Sequence, residues 1–417
     1  MLHYGSQRSA SGLSRPSSFR DLHHITLGFP NVILAPRCAL MKPTTKLTLF
    51  VLVFLGLFLL AAFLYLPAKA QSSASSSGTM PVGKTVEIKA PLGLPPVPIP
   101  PDNPPTEETI ALGRRLYYDP LLSVDGTISC ASCHAPQFAF SDNRPVSQGV
   151  GGKPGTRHSP TVINSAYSSL QFWDGRAPSL EEQAKGPMAN PVEMAHSLEG
   201  VVKRLQADPK YPELFKKAWG ADEITIDMVV KSIASFERTV IAGDSPFDRF
   251  YYGHDSKALP SAAQRGLIIF ISAKKGNCAV CHPIGKDYSL FTDNKFHNLG
   301  IGADTRGNLN DLGRFSETKN AADMGAFKTP SLRNLANRGP YMHDGTFPTV
   351  KDALAHYIGG GNWNPHLDKE IHSLDVLSFD ERDDLLQFLD SLNGKLPDNI
   401  GPPPDLAPPA KAAATTK

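Results

Sequence analysis

Two short stretches of this chain have the residues for redox chemistry. Residues 129–134 read SCASCH and residues 277–282 read NCAVCH. Each carries two thiols three residues apart, with an imidazole directly after the second. That spacing lets the thiols form thioethers to the two vinyl groups of one porphyrin, while the histidine sits beneath its metal. On this reading Cys130, Cys133 and His134 hold one c-type haem, and Cys278, Cys281 and His282 hold another, with His134 and His282 as the proximal iron ligands. A redox dithiol or half of a zinc site is the competing use of such cysteines. A zinc site wants four ligands in close array, and thiol oxidoreductases rarely carry histidine after both pairs.

The sixth iron ligand decides what such a haem does. A filled position suits electron transfer, and an open one suits chemistry on peroxide or oxygen. The residues alone leave this open. His158 is the first histidine downstream of His134; after His282 the candidates are His297, Met324, Met342, His343, His356 and Tyr357.

Helices must position these motifs. TEETIALGRRLYYDP (106–120) leads into the first motif and SAAQRGLIIFISAKKGN (261–277) into the second, both with apolar residues at helical spacing and a loop before the cysteines. The same periodicity predicts helices over 179–185, 197–206, 211–218, 225–241, 348–358 and 380–392. Alternation of the strand type is scarce. Loops rich in Gly, Asn and Pro fill 141–161 and 284–314, as expected of chain that wraps large cofactors. The fold expected is mainly α, with two similar lobes.

The chain has 417 residues and a formal net charge of +2, which lacks the clustered basic excess of a nucleic-acid binder. Residues 47–66, LTLFVLVFLGLFLLAAFLYL, form an almost wholly apolar run behind Lys42 and Lys46. With small residues at Ala68 and Ala70, 41–70 is expected to be an export signal cut after Ala70, or else a retained inner-membrane anchor. Residues 1–40 are expected to be a non-native extension ahead of a start at Met41. Of five cysteines, Cys38 precedes the signal and the other four lie in the two motifs, so none is left for a disulfide. Ser, Gly and Pro make 71–106 an expected flexible linker and 399–417 an expected disordered tail.

Taken in order, SCASCH, SPTVINSAYSSLQFWDGRAPSLEEQAKGP, NPVEM, FTDNKFHNLG, FKTPSLRN and GPYMHDG resemble the bacterial di-haem cytochrome c peroxidase family, and most of all its MauG-like branch. The resemblance covers about 107–395. It implies a periplasmic protein of two cytochrome-c-like helical domains, each with a covalently attached haem c. Residues 107–250 would be the peroxidatic domain and 251–398 the domain for electron transfer and charge storage, with Ca2+ between the haems.

The resemblance also implies roles. Gln183 and Glu193 fall at the family's distal positions on the peroxide-reactive first haem, with Pro187 as pocket wall and Trp173 between the haems. A carboxylate in a partly dry pocket can move the proton that O–O cleavage requires. Calcium would lie near His158, Arg338 and Pro340, although His158 replaces the family's usual Asn. His297 and Arg338 are expected to meet haem propionates or to pack. Three departures matter. The histidine that caps the first haem in typical peroxidases falls on Val150, which cannot bind iron, and His158 is the rival cap. The axial Met of the second haem falls on Tyr357, as in the MauG-like branch. The surface Trp that precedes the second motif in the maturase is Gly276 here.

The function expected is reduction of hydrogen peroxide at the N-terminal haem, with electrons from a small periplasmic cytochrome c or cupredoxin. One alternative is a peroxide-dependent oxidase of a protein or small organic substrate; another is a non-catalytic di-haem electron carrier. A homodimer is left open.

Overall fold

A computed structural model describes residues 79–407. The expected extension, signal or anchor, and the first part of the linker lie outside the described residues. No helix among the described residues is long and apolar enough to cross a membrane.

The chain is mostly helical. Its first helix, α1 (Glu107–Tyr118), starts where Thr106 and Thr109 cap each other's backbone N–H groups, with Glu107 and Glu108 at the positive end of the helix dipole. The rest are α2 (Cys130–Cys133), α3 (Leu180–Ala189), α4 (Leu198–Ala207), α5 (Tyr211–Trp219), α6 (Ile226–Glu237), α7 (Pro246–Tyr251), α8 (Ser261–Ile271), α9 (Phe315–Thr318), α10 (Val350–Ile358) and α11 (Phe379–Asp390). Every helix expected from periodicity is present; α7 and the one-turn α2 and α9 are additional. Among the described residues strand is confined to β1 (Phe296–His297) and β2 (Phe327–Lys328), an antiparallel pair with Phe296 opposite Lys328.

Two helix pairs organise the interior. α1 packs along α6, and Leu112, Leu116, Phe215, Trp219, Val229 and Ile233 fill the space around them. α8 packs along α11, with Phe247, Phe270, Phe291, Leu354, Leu385 and Phe388 in the second cluster. Phe247 lies on α7, so the boundary drawn between 250 and 251 cuts through a helix that belongs to the second cluster. Each crossing is set by a glycine. A methyl group on Gly113 would stand 1.8 Å from Ser232 O, and one on Gly266 2.0 Å from Asp384 O.

The segments flanking the body are packed, which corrects the expectation of a flexible linker and a disordered tail for the parts described. Residues 79–106 form a strap. Leu94 and Val97 are buried, and Tyr167 OH donates to Pro95 O at 2.9 Å. Asn103 donates to Glu181 at 2.9 Å and to Lys231 O at 3.0 Å. Arg333 and Asp248, 1% and 0% exposed, pair through two bonds of 2.8 Å, and Arg333 also donates to Gly93 O at 2.8 Å. Gly93 admits no side chain there, because a Cβ would lie 1.9 Å from Asp248 Oδ1. At the other end Tyr118 OH donates to Ile400 O at 2.7 Å and Arg115 pairs with Asp405 at 2.8 Å.

The two halves repeat more deeply than the helices before the motifs suggest. Residues 158–189 align on 328–359 without a gap. Asn164 and Asn334 both adopt positive φ and both clamp a later loop. Asn164 donates to Ala242 O at 3.0 Å, and Asn334 to Gly394 O at 2.9 Å. Phe172 and Met342 share φ near +70°, at 67° and 73°, and the bridges Gln171–Ala177 and Tyr341–Phe347 follow in register. Across the join, His158 N donates to His343 O at 2.7 Å, and Lys328 N to Trp173 O at 2.8 Å.

Gly266→Ala should push α8 off α11 and lower stability by about 1–3 kcal/mol. Gly401→Ala, which meets nothing within 4 Å, should leave the melting temperature unchanged. Differential scanning calorimetry of the two variants checks this.

Candidate functional site

Both motif histidines are held the same way. In the first motif His134 Nδ1 lies 2.8 Å from Pro160 O, and Tyr117 OH donates to His134 O at 2.7 Å. In the second, His282 Nδ1 lies 2.7 Å from Phe291 O, and burial pulls the imidazole down to about 4. A carbonyl can only accept, so Nδ1 carries the hydrogen and Nε2 the lone pair. That is the tautomer a metal ligand needs. Among the described residues neither Nε2 makes a hydrogen bond. The four thiols are unpaired. Burial pushes Cys278 up to about 12 and raises Cys130 and Cys133, so these are not activated thiolates.

The second motif opens on a cavity whose empty volume, open solvent at the mouth included, is about 2020 Å³. Tyr357, on α10, lines it with Cys278, Cys281 and His282. The Tyr357 hydroxyl has no hydrogen-bond partner among the described residues, and burial raises its pKa. Two cations face the same cavity without an acidic partner. Arg338 is 8% exposed, binds only the carbonyls of Ser331 and Arg333, and is pulled down to about 10 by burial. Lys328 reaches Ser168 Oγ at 3.2 Å and is pulled down to about 8, again by burial. Buried cations left this way suit an anionic occupant.

Of the other candidate ligands, His297 and His356 are engaged elsewhere, whereas the buried Nε2 of His343 has no hydrogen-bond partner among the described residues. His297 lies between Asp368 at 2.5 Å and Asp293 at 3.0 Å, which does not support a propionate role for it. The neighbouring Cys281 sulfur, with Asp368 and Asp293, pushes it up to about 10 against the effect of burial. His356 reaches Leu299 O at 3.0 Å, and His343 stacks on Phe327 with ring centres 3.5 Å apart.

Around the first motif, α3 brings Gln183 and Pro187 onto one face a turn apart. Glu193 follows just after Asn190, the C-cap of α3. Asn190 Nδ2 donates to Glu193 Oε1 at 2.6 Å. Burial raises the Glu193 carboxyl, with Asn190 and Arg176 opposing. Its charge is felt at the Cys133 thiol, so it stands on the side of the first motif. Gln183 keeps its amide free of hydrogen bonds among the described residues. Val150 N donates to the backbone carbonyl of Glu193 at 2.8 Å, which ties the loop counted back from Trp173 to the segment that carries Glu193. Trp173 lies at the join, its Nε1 donating to His158 O at 2.8 Å.

In the repeat alignment Pro187 stands where Tyr357 stands. Tyrosine can bind a metal through its oxygen; proline has no side-chain donor at all. The two sites therefore differ at equivalent positions of equivalent helices. His158 does not act as a rival cap either. It belongs to the loop whose Pro160 carbonyl holds His134, and both its ring nitrogens have protein partners, Ser141 Oγ at 3.0 Å and Arg144 O at 3.1 Å.

A family profile of di-haem cytochrome c peroxidases matches residues 107–256. The methylamine utilization protein MauG of Methylorubrum extorquens is 43% identical over 302 residues, covering 72% of this chain and 82% of that one. The cytochrome c551 peroxidase of Nitrosomonas europaea is 36% identical over 301 residues, covering 72% and 84%. The crystal structure of a MauG-like protein associated with microbial copper homeostasis superposes with a TM-score of 0.68 at 32% identity, covering 76% of this chain and 98% of that one. The chain belongs to the bacterial di-haem cytochrome c peroxidase family and is MauG-like. Like other di-haem peroxidases it is an oxidoreductase, and membership implies two haems c. The residues fit that group: paired thiols, two histidines with Nε2 free, and beside the second motif a cavity with two cations on its wall that have no acidic partner among the described residues.

Glu237 is a residue that this di-haem peroxidase hides from sequence reading. It ends α6, is buried, and its charge acts on Cys130 and Tyr117 beside the first motif. Its helical spacing gives no sign of this, since glutamate near a helix end is usually solvated. Burial pushes it up to about 8. The folded chain therefore keeps a proton that the unfolded chain releases near the usual ~4.3, and stability falls as pH rises through this window. Glu237→Gln should flatten that fall between about pH 5 and 8. Melting temperature against pH for both proteins checks it.

Proposed function

We propose that this chain reduces hydrogen peroxide at its N-terminal haem site. The electrons would come from a small cytochrome c or cupredoxin after export to the periplasm. The observation that carries this reading is Pro187 opposite Tyr357 in the repeat, with Gln183 and Glu193 gathered on the same side of the first motif. A c-type haem with one axial position free supplies peroxide binding and two-electron chemistry.

The chain's own groups would do the rest. His134, with its Nδ1 hydrogen on Pro160 O, would hold the proximal side. Glu193 would take the proton from the nearer peroxide oxygen and return it to the leaving one. Its raised pKa brings it closer to neutral pH, where such exchange is efficient. Asn190 keeps the carboxylate in place, and the free Gln183 amide can bind substrate or water. Pro187 keeps any side-chain ligand off the distal face. Tyr357 would offer its phenol oxygen to the iron held by His282, and Trp173 would couple the two sites through the join. Arg338 and Lys328 would neutralise the propionates.

One observation favours a second reading, peroxide-dependent oxidation of a protein or small organic substrate. Tyrosinate donates charge to iron and stabilises higher oxidation states, so Tyr357 suits storage of an oxidising equivalent better than rapid entry of electrons. Gly276, where the maturase has tryptophan, weighs against the same exit route. A pure electron carrier needs both irons six-coordinate, and neither Pro187 nor Val150 can supply the ligand.

Glu193→Gln should lower the rate of peroxide-dependent donor oxidation by about 10²–10⁴-fold while leaving haem content and ferric spectra unchanged. Stopped-flow kinetics on the holoenzyme measures it, and a rate within a few-fold of wild type would sink the proton-transfer role. Low-temperature EPR of the ferric protein should show one high-spin and one low-spin centre in equal amounts. Tyr357→Phe should alter only the low-spin signal; two low-spin signals in the wild type would point to the electron-carrier reading.

A further inference from the structure

Membership of the family implies calcium between the haems, near His158, Arg338 and Pro340. The residues present do not fit it. Calcium takes about six to eight oxygen ligands and favours carboxylates. His158 offers none, and both its nitrogens are engaged, by Ser141 Oγ at 3.0 Å and Arg144 O at 3.1 Å. Asp142, whose charge His158 feels, is committed to Arg144 at 2.6 Å and to Ser147 Oγ at 2.6 Å. Arg338 O and Pro340 O accept no hydrogen bond among the described residues, which leaves two oxygens for the ion.

A positive charge already occupies the region. The Arg338 guanidinium is buried on the cavity wall, and its charge acts on both His158 and His282. Its only hydrogen-bond partners among the described residues are the carbonyls of Arg333 and Ser331, so no protein carboxylate pairs with it there. Since Arg338 is also a group that would offset a propionate, a divalent ion here would duplicate a cation already in place.

We infer that this chain binds no calcium between its two haem sites, because the Arg338 side chain supplies the positive charge there and His158 closes the coordination position. The inference is independent of the peroxide reading, since metal content and peroxide kinetics are measured separately. Holoprotein equilibrated with calcium and passed over a desalting column should contain iron and no stoichiometric calcium by inductively coupled plasma mass spectrometry. EGTA should leave its optical and EPR spectra unchanged. One calcium retained per chain would overturn the inference. Removing both obstacles in His158→Asn/Arg338→Gln should produce calcium uptake, read by isothermal titration calorimetry on protein whose circular dichroism is native. A folded double variant that still takes up none would show that these side chains are not what excludes the ion.

Discussion

Two main-chain hydrogen bonds hold the halves of this molecule in register, His158 N to His343 O and Lys328 N to Trp173 O. They join equivalent positions of the two repeats in a reciprocal pair, so one half cannot slide along the other without breaking both. Buried backbone groups left unpaired cost about 1–3 kcal/mol each, which makes the register well determined. Much of the site follows from it. Pro160, two residues beyond His158, orients His134, and Trp173 is fixed at the join with its indole on His158 O.

The strap over 79–106 secures this arrangement from outside. Arg333 is the residue that connects it, because one guanidinium binds Asp248, Gly93 O and Ser289 O with almost no exposure to water. Removing one partner of such a buried pair costs about 3–5 kcal/mol, since the other charge is left unpaired. On the other half Asn103 and Arg238 both bind Glu181, on the same helix as Gln183. The strap therefore ties the distal helix to the body at one end and the second cluster at the other.

Function resides in where the repeats diverge. Their loops, caps and left-handed asparagines agree closely, while side chains aimed at the cofactor positions do not. Gln183 opposes Ala353, Pro187 opposes Tyr357, and Trp173 opposes His343. A shared framework thus carries Gln183 and Pro187 in one half and the phenol of Tyr357 in the other. The join also concentrates positive charge, from Arg338 and Lys328, where two anionic groups would meet.

The sequence by itself determined the chemistry of attachment and the helices that carry it. Paired cysteines followed by histidine have few other uses, and apolar spacing of 3.6 residues survives in any context. The eight helices expected from that spacing are all present, and Tyr357 lines the cavity at the second motif. Only the tertiary structure decided the rest, because it depends on contacts between residues far apart. The strap looked like a tether, since its prolines and glycines carry no periodicity; Gly93 and Asn103 acquire their roles only from Asp248, Arg333 and Glu181. His297 looked available until Asp293 and Asp368 closed on it. Glu237 carries no signal in the sequence, and only the fold buries it beside Tyr117 and Cys130. Burial and pairing set what an ionisable side chain can do, and both are properties of the folded neighbourhood rather than of the residue.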